Sequence, residues 1–179
     1  MRHPLKLAGQ AVALVAVAGL LSLLVWRVTH QTHAPKVGSP APGFALRRIG
    51  GSGTLTLASL RGKPVVLNFW ASWCVPCKTE AKTLEQAFDR YGSKGVAFVG
   101  IDYHDVTSDA RTFLAHHDIT YPTVQDGSGA IGTRYGITAV PETFVIGRNG
   151  KIVLHIPGPI AGSTFTREFA RGIAAAIRT

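Results

Sequence analysis

The chain has 179 residues and a formal charge of +9, a length that accommodates one domain plus an additional segment. Its basic residues are scattered, with Arg47-Arg48 the only adjacent pair, so the sequence lacks the clustered basic face of a nucleic-acid binder and no nucleic-acid partner is expected. From Pro35 onward, 16 Lys and Arg face 10 Asp and Glu, which supports only a mild attraction to an acidic partner or a membrane surface.

Arg2, His3 and Lys6 precede an apolar stretch from Leu7 to Trp26, where Gln10 and Ser22 are the only polar interruptions. A bilayer core of ~30 Å needs about 20 helical residues, so residues 1–28 are expected to form an N-terminal transmembrane anchor. A cleaved signal is the alternative. Trp26, Arg27 and His30 are a poor cleavage context, and Thr32-His33-Ala34 is a weak site. A core helix is disfavoured by the basic head and the uncapped length. No cysteine lies near the run, which excludes a lipoprotein anchor. The basic N-terminal flank favours a cytoplasmic N-terminus, with the remainder of the chain extracytoplasmic.

Residues 29–43 read as a linker and lead-in, and residues 44–179 as one domain. Phe44–Leu46 and Thr54–Leu57 are strand-like around Gly50-Gly51-Ser52-Gly53, a hairpin pattern. Val65–Trp70 is a near-continuous apolar run, as in a strand buried on both faces. Ala81, Leu84, Phe88 and Tyr91 recur at helical spacing, and Gly92 and Gly95 end that helix. Val96–Ile101 is a second buried strand. Thr107 or Ser108 is expected to cap a helix carrying Ala110, Phe113 and Leu114. An irregular stretch follows with Pro122, Gly127, Gly129 and Gly132. Thr143–Ile146 and Ile152–Ile156 flank Arg148-Asn149-Gly150, where Asn-Gly signals a hairpin. Phe165, Phe169, Ile173 and Ile177 define a closing amphipathic helix, capped by Ser163 or Thr164 and weakened by Gly172. The order from Val65 is β-α-β-α-β-β-α, an α/β domain with a mixed sheet and helices on both faces.

Cys74-Val75-Pro76-Cys77 holds the only two cysteines. Cys74 falls where a helix should begin, and the unpaired N–H groups and helix dipole there favour a thiolate. Cys77, one turn further in, is expected to be the more buried, resolving thiol. Pro76 suits a first helical turn, and Trp73 is expected to cover the pair. A structural disulfide would close too small a loop to stabilise much. A zinc site would need about four ligands, and no second Cys pair exists, so no metal is expected. The pattern favours a redox pair and calls for no cofactor.

Phe69-Trp70-Ala71-Ser72-Trp73-Cys74-Val75-Pro76-Cys77 resembles the active-site segment of thioredoxin-fold proteins of the TlpA type. Tyr135-Gly136-Ile137-Thr138-Ala139-Val140-Pro141-Glu142-Thr143-Phe144-Val145-Ile146 resembles a block of the cytochrome c-maturation members (CcmG/DsbE-like, ResA-like). The resemblance covers about residues 36–178. It implies a thioredoxin fold and a cis Val140–Pro141 bond beside Cys74, with the Val140 backbone free to pair with an extended substrate. Trp73, Val75, Pro76 and Val140 would then contact substrate.

Thioredoxins proper carry a buried Asp where this chain has Asn68, so proton handling must fall elsewhere or to water. Glu80 lies three residues after Cys77 on the same helix, and Glu142 follows Pro141. Either could act on the thiols, the alternative for Glu80 being a solvated helix acid. His104 ends a buried strand at a ligand-binding sheet edge. His116, His117 and His155 read as surface or satisfied residues. The resemblance implies a thiol:disulfide oxidoreductase of the bacterial inner membrane, reducing apocytochrome c or a carrier and re-reduced by a CcdA- or DsbD-like transmembrane protein. A disulfide oxidant, a copper chaperone and a peroxidase are the rival readings.

Overall fold

The computed structural model describes residues 3–29 and 34–179; Arg2, His30, Thr32 and His33 lie outside the described residues. The chain forms two compact units that divide between Thr32 and His33. The first contains helix α1, His3–Thr29. Its 27 residues measure about 40 Å at 1.5 Å per residue. Gly9–Arg27 is long and apolar enough to cross a membrane. Its large side chains from Val12 to Trp26 are exposed, unlike those of a core helix.

The second unit is built on a seven-stranded sheet in the order β2-β1-β5-β4-β3-β6-β7. The strands are β1 Ala45–Arg48, β2 Thr54–Thr56, β3 Val65–Trp70, β4 Ala97–Tyr103, β5 Thr123–Asp126, β6 Glu142–Ile146 and β7 Ile152–Pro157. The helices are α2 Val75–Gly92, α3 Thr107–His116, α4 Ala130–Arg134 and α5 Gly162–Arg178. β3 pairs in parallel with β4, and β4 with β5; β6 runs antiparallel to β3 and β7. All six residues of β3 are buried, as its apolar run requires.

Alternation along β3 divides the core. Val65, Leu67 and Phe69 pack on one face with Ile131, Tyr135 and Phe144. Val66 faces the other way, towards Leu84 of α2 and Phe169 and Ile173 of α5. Trp70, at the end of the strand, packs with both cysteines and with Ala110 and Phe113 of α3. Each side of the sheet thus presents apolar side chains to a helical layer.

Several local expectations are corrected. The irregular stretch contains β5 and α4, so the order gains a strand and a helix. Thr107 and Ser108 lie inside α3, whose cap is Val106 with no side-chain bond; the Thr107 hydroxyl instead donates to Gln125 Oε1 at 2.8 Å. Ser163 and Thr164 lie inside α5, capped by Ala161. Phe165 is exposed, leaving Phe169, Ile173 and Ala176 as the buried stripe. Gly172 is a packing residue: a Cβ there would sit 2.4 Å from Leu154 Cδ2, so its absence lets α5 lie on β7. In the β6–β7 turn only Gly150 takes positive φ, and Gly147 N bonds Lys151 O.

The lead-in is also held firmly from Ala34 on. Gly38 N bonds Ile152 O, Ile152 N bonds Ser39 O, and Ala41 N bonds Gly150 O. The Tyr135 hydroxyl donates to Pro42 O at 2.7 Å. Residues 34–43 therefore belong to the domain.

Candidate active site

The buried strand β3 ends at Trp70, and the chain turns through Ala71–Trp73 into α2. Cys74 is the N-cap of that helix, in extended backbone conformation, with Pro76 in the first turn. Cys77 N donates to Cys74 Sγ at 3.1 Å, so a helix-terminal N–H points at the first sulfur. The two sulfurs are joined in a disulfide of 2.02 Å with a Cα–Cα distance of 5.3 Å.

Both cysteines are buried, Cys74 at 3% and Cys77 at 2% exposure, so in the oxidised state burial does not separate them as expected. Trp70, Ala71, Ala110 and Phe113 pack around them, together with the partly buried Val140. Trp70 stacks on Phe113 with centroids 4.6 Å apart. Trp73 is 59% exposed and donates its indole N–H to His104 O at 3.3 Å. Val75 and Pro76 are exposed beside it. Trp73, Lys78, Phe113 and His116 help to line an open groove of about 490 Å³ next to the dithiol turn.

The loop before β6 completes the wall. The Val140–Pro141 bond is cis, and Val140 O lies 3.5 Å from Cys74 Sγ. Glu142 is buried; it accepts from Thr138 N at 3.2 Å and meets His155 Nε2 at 2.7 Å. His155 also stacks on Phe144, with centroids 4.2 Å apart. Glu142 thus ties the loop bearing Val140 and Pro141 to β7.

Glu80 is not a solvated helix acid. Its residue is 1% exposed. Glu80 Oε1 accepts from Asn68 Nδ2 at 2.8 Å, and Oε2 accepts from Ile160 N at 2.8 Å. Asn68 Nδ2 also donates to Thr143 Oγ1 at 3.0 Å. Burial pushes the Glu80 carboxyl up to about 7, against the lowering effect of the Ile160 and Asn68 bonds. An acid poised near neutrality therefore stands one helical turn beyond Cys77.

Two further acids escape the sequence reading. Asp105 accepts from Ser72 N at 2.5 Å, from Ser72 Oγ at 2.9 Å and from Val106 N at 2.7 Å. It holds the turn two residues before Cys74. Asp102, paired in register with Trp70, is fully buried, and neither of its oxygens has a hydrogen-bond donor. Its carboxyl is pushed up to about 8, by burial first and then by the neighbouring Asp105 charge. The available signal was position, since both acids lie at the end of a buried strand beside the Cys-X-X-Cys turn. His104, the residue singled out there, contributes its carbonyl to Trp73 and sits at positive φ.

A buried, helix-capping dithiol on a thioredoxin-fold sheet defines a thiol–disulfide oxidoreductase. Residues 37–155 match the AhpC/TSA family, and the chain belongs to that family. It is 31% identical over 153 residues to the thiol-disulfide oxidoreductase ResA of Oceanobacillus iheyensis, covering 84% of this chain and 80% of that one. It is 38% identical over 117 residues to the thiol:disulfide interchange protein DsbE of Pseudomonas fluorescens, covering 65% and 64%. A crystal structure from Chlorobium tepidum, assigned as a DsbE thiol:disulfide interchange protein, superposes with a TM-score of 0.72 at 32% identity, covering 80% of this chain and 99% of that one. The ResA/DsbE type expected from the two sequence blocks is thereby shown.

Proposed function

We propose that the chain is a membrane-tethered, extracytoplasmic reductase of protein disulfides that serves cytochrome c maturation. Its substrate is the oxidised pair of haem-binding cysteines in apocytochrome c, or a carrier that handles them. The observation that carries the reading is the union of the Val140-Pro141-Glu142-Thr143 block with the dithiol, Val140 O lying 3.5 Å from Cys74 Sγ. The names of the ResA and DsbE relatives support it.

In the reduced enzyme the Cys74 thiolate attacks one sulfur of the partner's disulfide. The other partner sulfur leaves as a thiolate, and a mixed disulfide forms. Cys77 then gives up its proton and attacks Cys74 Sγ, which releases the second partner thiolate. Two electrons pass to the partner, and Cys74–Cys77 is left as the disulfide seen in this structure. Glu80 in its ionised form accepts the Cys77 proton. An extended partner segment runs along Val140, with Trp73, Val75 and Pro76 as the exposed apolar rim. Pro141 and Glu142 hold that backbone in place. Reduction for the next cycle comes from a CcdA- or DsbD-like transmembrane donor. Helix α1 is the single-pass tether, its N-terminus in the cytoplasm.

Cys77→Ser tests the proposal. The variant should accumulate mixed disulfides through Cys74, with apocytochrome c or its carriers as the captured partners. Capture of a broad range of secreted proteins would refute the assignment to cytochrome maturation. A reduction potential near about −120 mV, that of a strong oxidant, would refute the direction.

A further inference from the structure

Basic residues that are scattered in the sequence are gathered at one end of the folded domain. The Val65 end of β3 lies beside Ala97 of β4 and Ile146 of β6. Arg61 and Lys63 precede β3, Lys94 precedes β4, and Arg148 and Lys151 occupy the turn after β6. Arg148 binds this end together: its Nη1 donates to Gly62 O at 2.9 Å and its Nε to Ile177 O at 3.1 Å, bringing Arg178 alongside. The lead-in joins here through Gly38 and Ala41, adding Lys36. None of the segments 34–41, 61–64, 93–96, 147–151 and 177–179 contains an Asp or Glu. The acid closest along the chain, Asp89, is followed directly by Arg90.

The opposite end is acidic. Asp105, Asp126 and Glu142 all lie at or beyond the ends of strands where the dithiol sits. β3 alone separates the two ends by about 20 Å, at ~3.3 Å per residue.

The basic end also has somewhere for an anionic head group to go. An open groove of about 530 Å³ is lined there by Leu57, Leu60, Arg61, Lys63 and Arg148. Beside it Val37 is 61% exposed in the lead-in, an apolar side chain next to Lys36. Apolar floor, basic rim and an exposed aliphatic group match the interfacial region of a phospholipid surface.

We propose that this end of the domain is a docking face for anionic phospholipid, which turns the Cys74–Cys77 end away from the bilayer and towards its partners. The inference rests on the membrane tether proposed above. Attraction of a juxtamembrane Lys or Arg to an anionic surface corresponds to roughly a fivefold gain in occupancy per residue, so the face acts through its number of charges.

The test uses the full chain reconstituted into lipid discs of phosphatidylcholine alone, or of phosphatidylcholine with phosphatidylglycerol. Lysine acylation is read residue by residue. On anionic discs, Lys36, Lys63, Lys94 and Lys151 should be acylated at least fivefold more slowly than on neutral discs, while Lys78, at the dithiol end, is unchanged. High salt should abolish the difference. The triple variant Arg61→Glu, Lys63→Glu, Lys151→Glu should return Lys36 and Lys94 to their neutral-disc rates and leave turnover of a soluble disulfide unaltered. Equal rates on both lipids, or equal slowing at Lys78, would overturn docking while leaving the tether intact. Failure of either disc to retain the chain would overturn the tether and the docking with it.

Discussion

Glu80 should make the stability of the oxidised protein depend on pH in the sense opposite to most carboxylates. Its folded value of about 7 lies above the ordinary 4.5. The folded state therefore holds a proton that the unfolded state has released. The contribution is fully present below pH 4.5 and is lost as pH rises through 7. That interval corresponds to about 3 kcal/mol, nearly all of it lost by pH 8. Glu80→Gln removes the titration. The new amide can still accept from Ile160 N, but its NH₂ opposes Asn68 Nδ2, so Asn68 must turn over and its bond to Thr143 must reverse, the hydroxyl now donating, a rearrangement that costs about 1 kcal/mol. The two stability profiles should cross. The variant should be less stable by about 1 kcal/mol at pH 4.5 and more stable by about 2 kcal/mol at pH 8. Thermal melts of the oxidised full chain in detergent micelles read this difference, at about 2–4 °C per kcal/mol. Parallel profiles, or a variant that is still the less stable at pH 8, would show that Glu80 is ionised in the fold and refute the reasoning.

The same substitution removes a carboxylate one turn from Cys77. In the reduced protein the Cys77 thiol of Glu80→Gln should therefore ionise at lower pH, as read by the pH dependence of alkylation; an unchanged profile would separate Glu80 from the thiol chemistry. Asp105→Ala should lose about 1–3 kcal/mol in denaturant titration and slow disulfide turnover, because three bonds to Ser72 and Val106 vanish; full activity would mean that the turn holds itself. Asp102→Asn should stabilise the protein at pH 9, where the native carboxyl is forced to ionise while buried, and not at pH 6; a pH-independent effect would refute the raised acid. Gly172→Ala should destabilise by about 1–2 kcal/mol despite the helix propensity of Ala, since its Cβ meets Leu154; a gain in melting temperature would show that Leu154 yields freely.

How much was legible in the sequence follows from where the information for each element lies. β3 is buried on both faces, and its near-continuous apolar run, interrupted only by Asn68, can be read without knowing its neighbours. β5 cannot be read in that way. Thr123-Val124-Gln125-Asp126 has one aliphatic residue and no alternation, and it becomes a strand because β4 pairs on one side and β1 on the other. The helix caps failed for a related reason. Thr107 found a better partner in Gln125 than in its own helix, a competition visible only in three dimensions. The basic end belongs here too. Its charges come from five separate segments, and only strand register brings them together.

The site was legible in its sulfurs and in the Val-Pro-Glu-Thr block, because both are local patterns. The environment of Glu80 was not. A glutamate on an amphipathic helix ordinarily faces water, and this one is buried by groups 12 and 80 residues away, Asn68 and Ile160. Asn68 itself was visible as a departure from the thioredoxin pattern, and its consequence follows from hydrogen-bond chemistry. An Asp at that position would oppose Glu80 with a second acceptor. An Asn supplies the donor that a buried carboxylate lacks, so it holds Glu80 in place instead of repelling it. In the proposed mechanism the acid that serves the thiols has therefore moved from the strand to the helix. Asn68→Asp should undo the arrangement by setting two acids against each other: Glu80 should bind its proton more tightly, and turnover should fall below that of the native chain at pH 7. A variant with native turnover and a native pH profile would show that Asn68 does not orient Glu80.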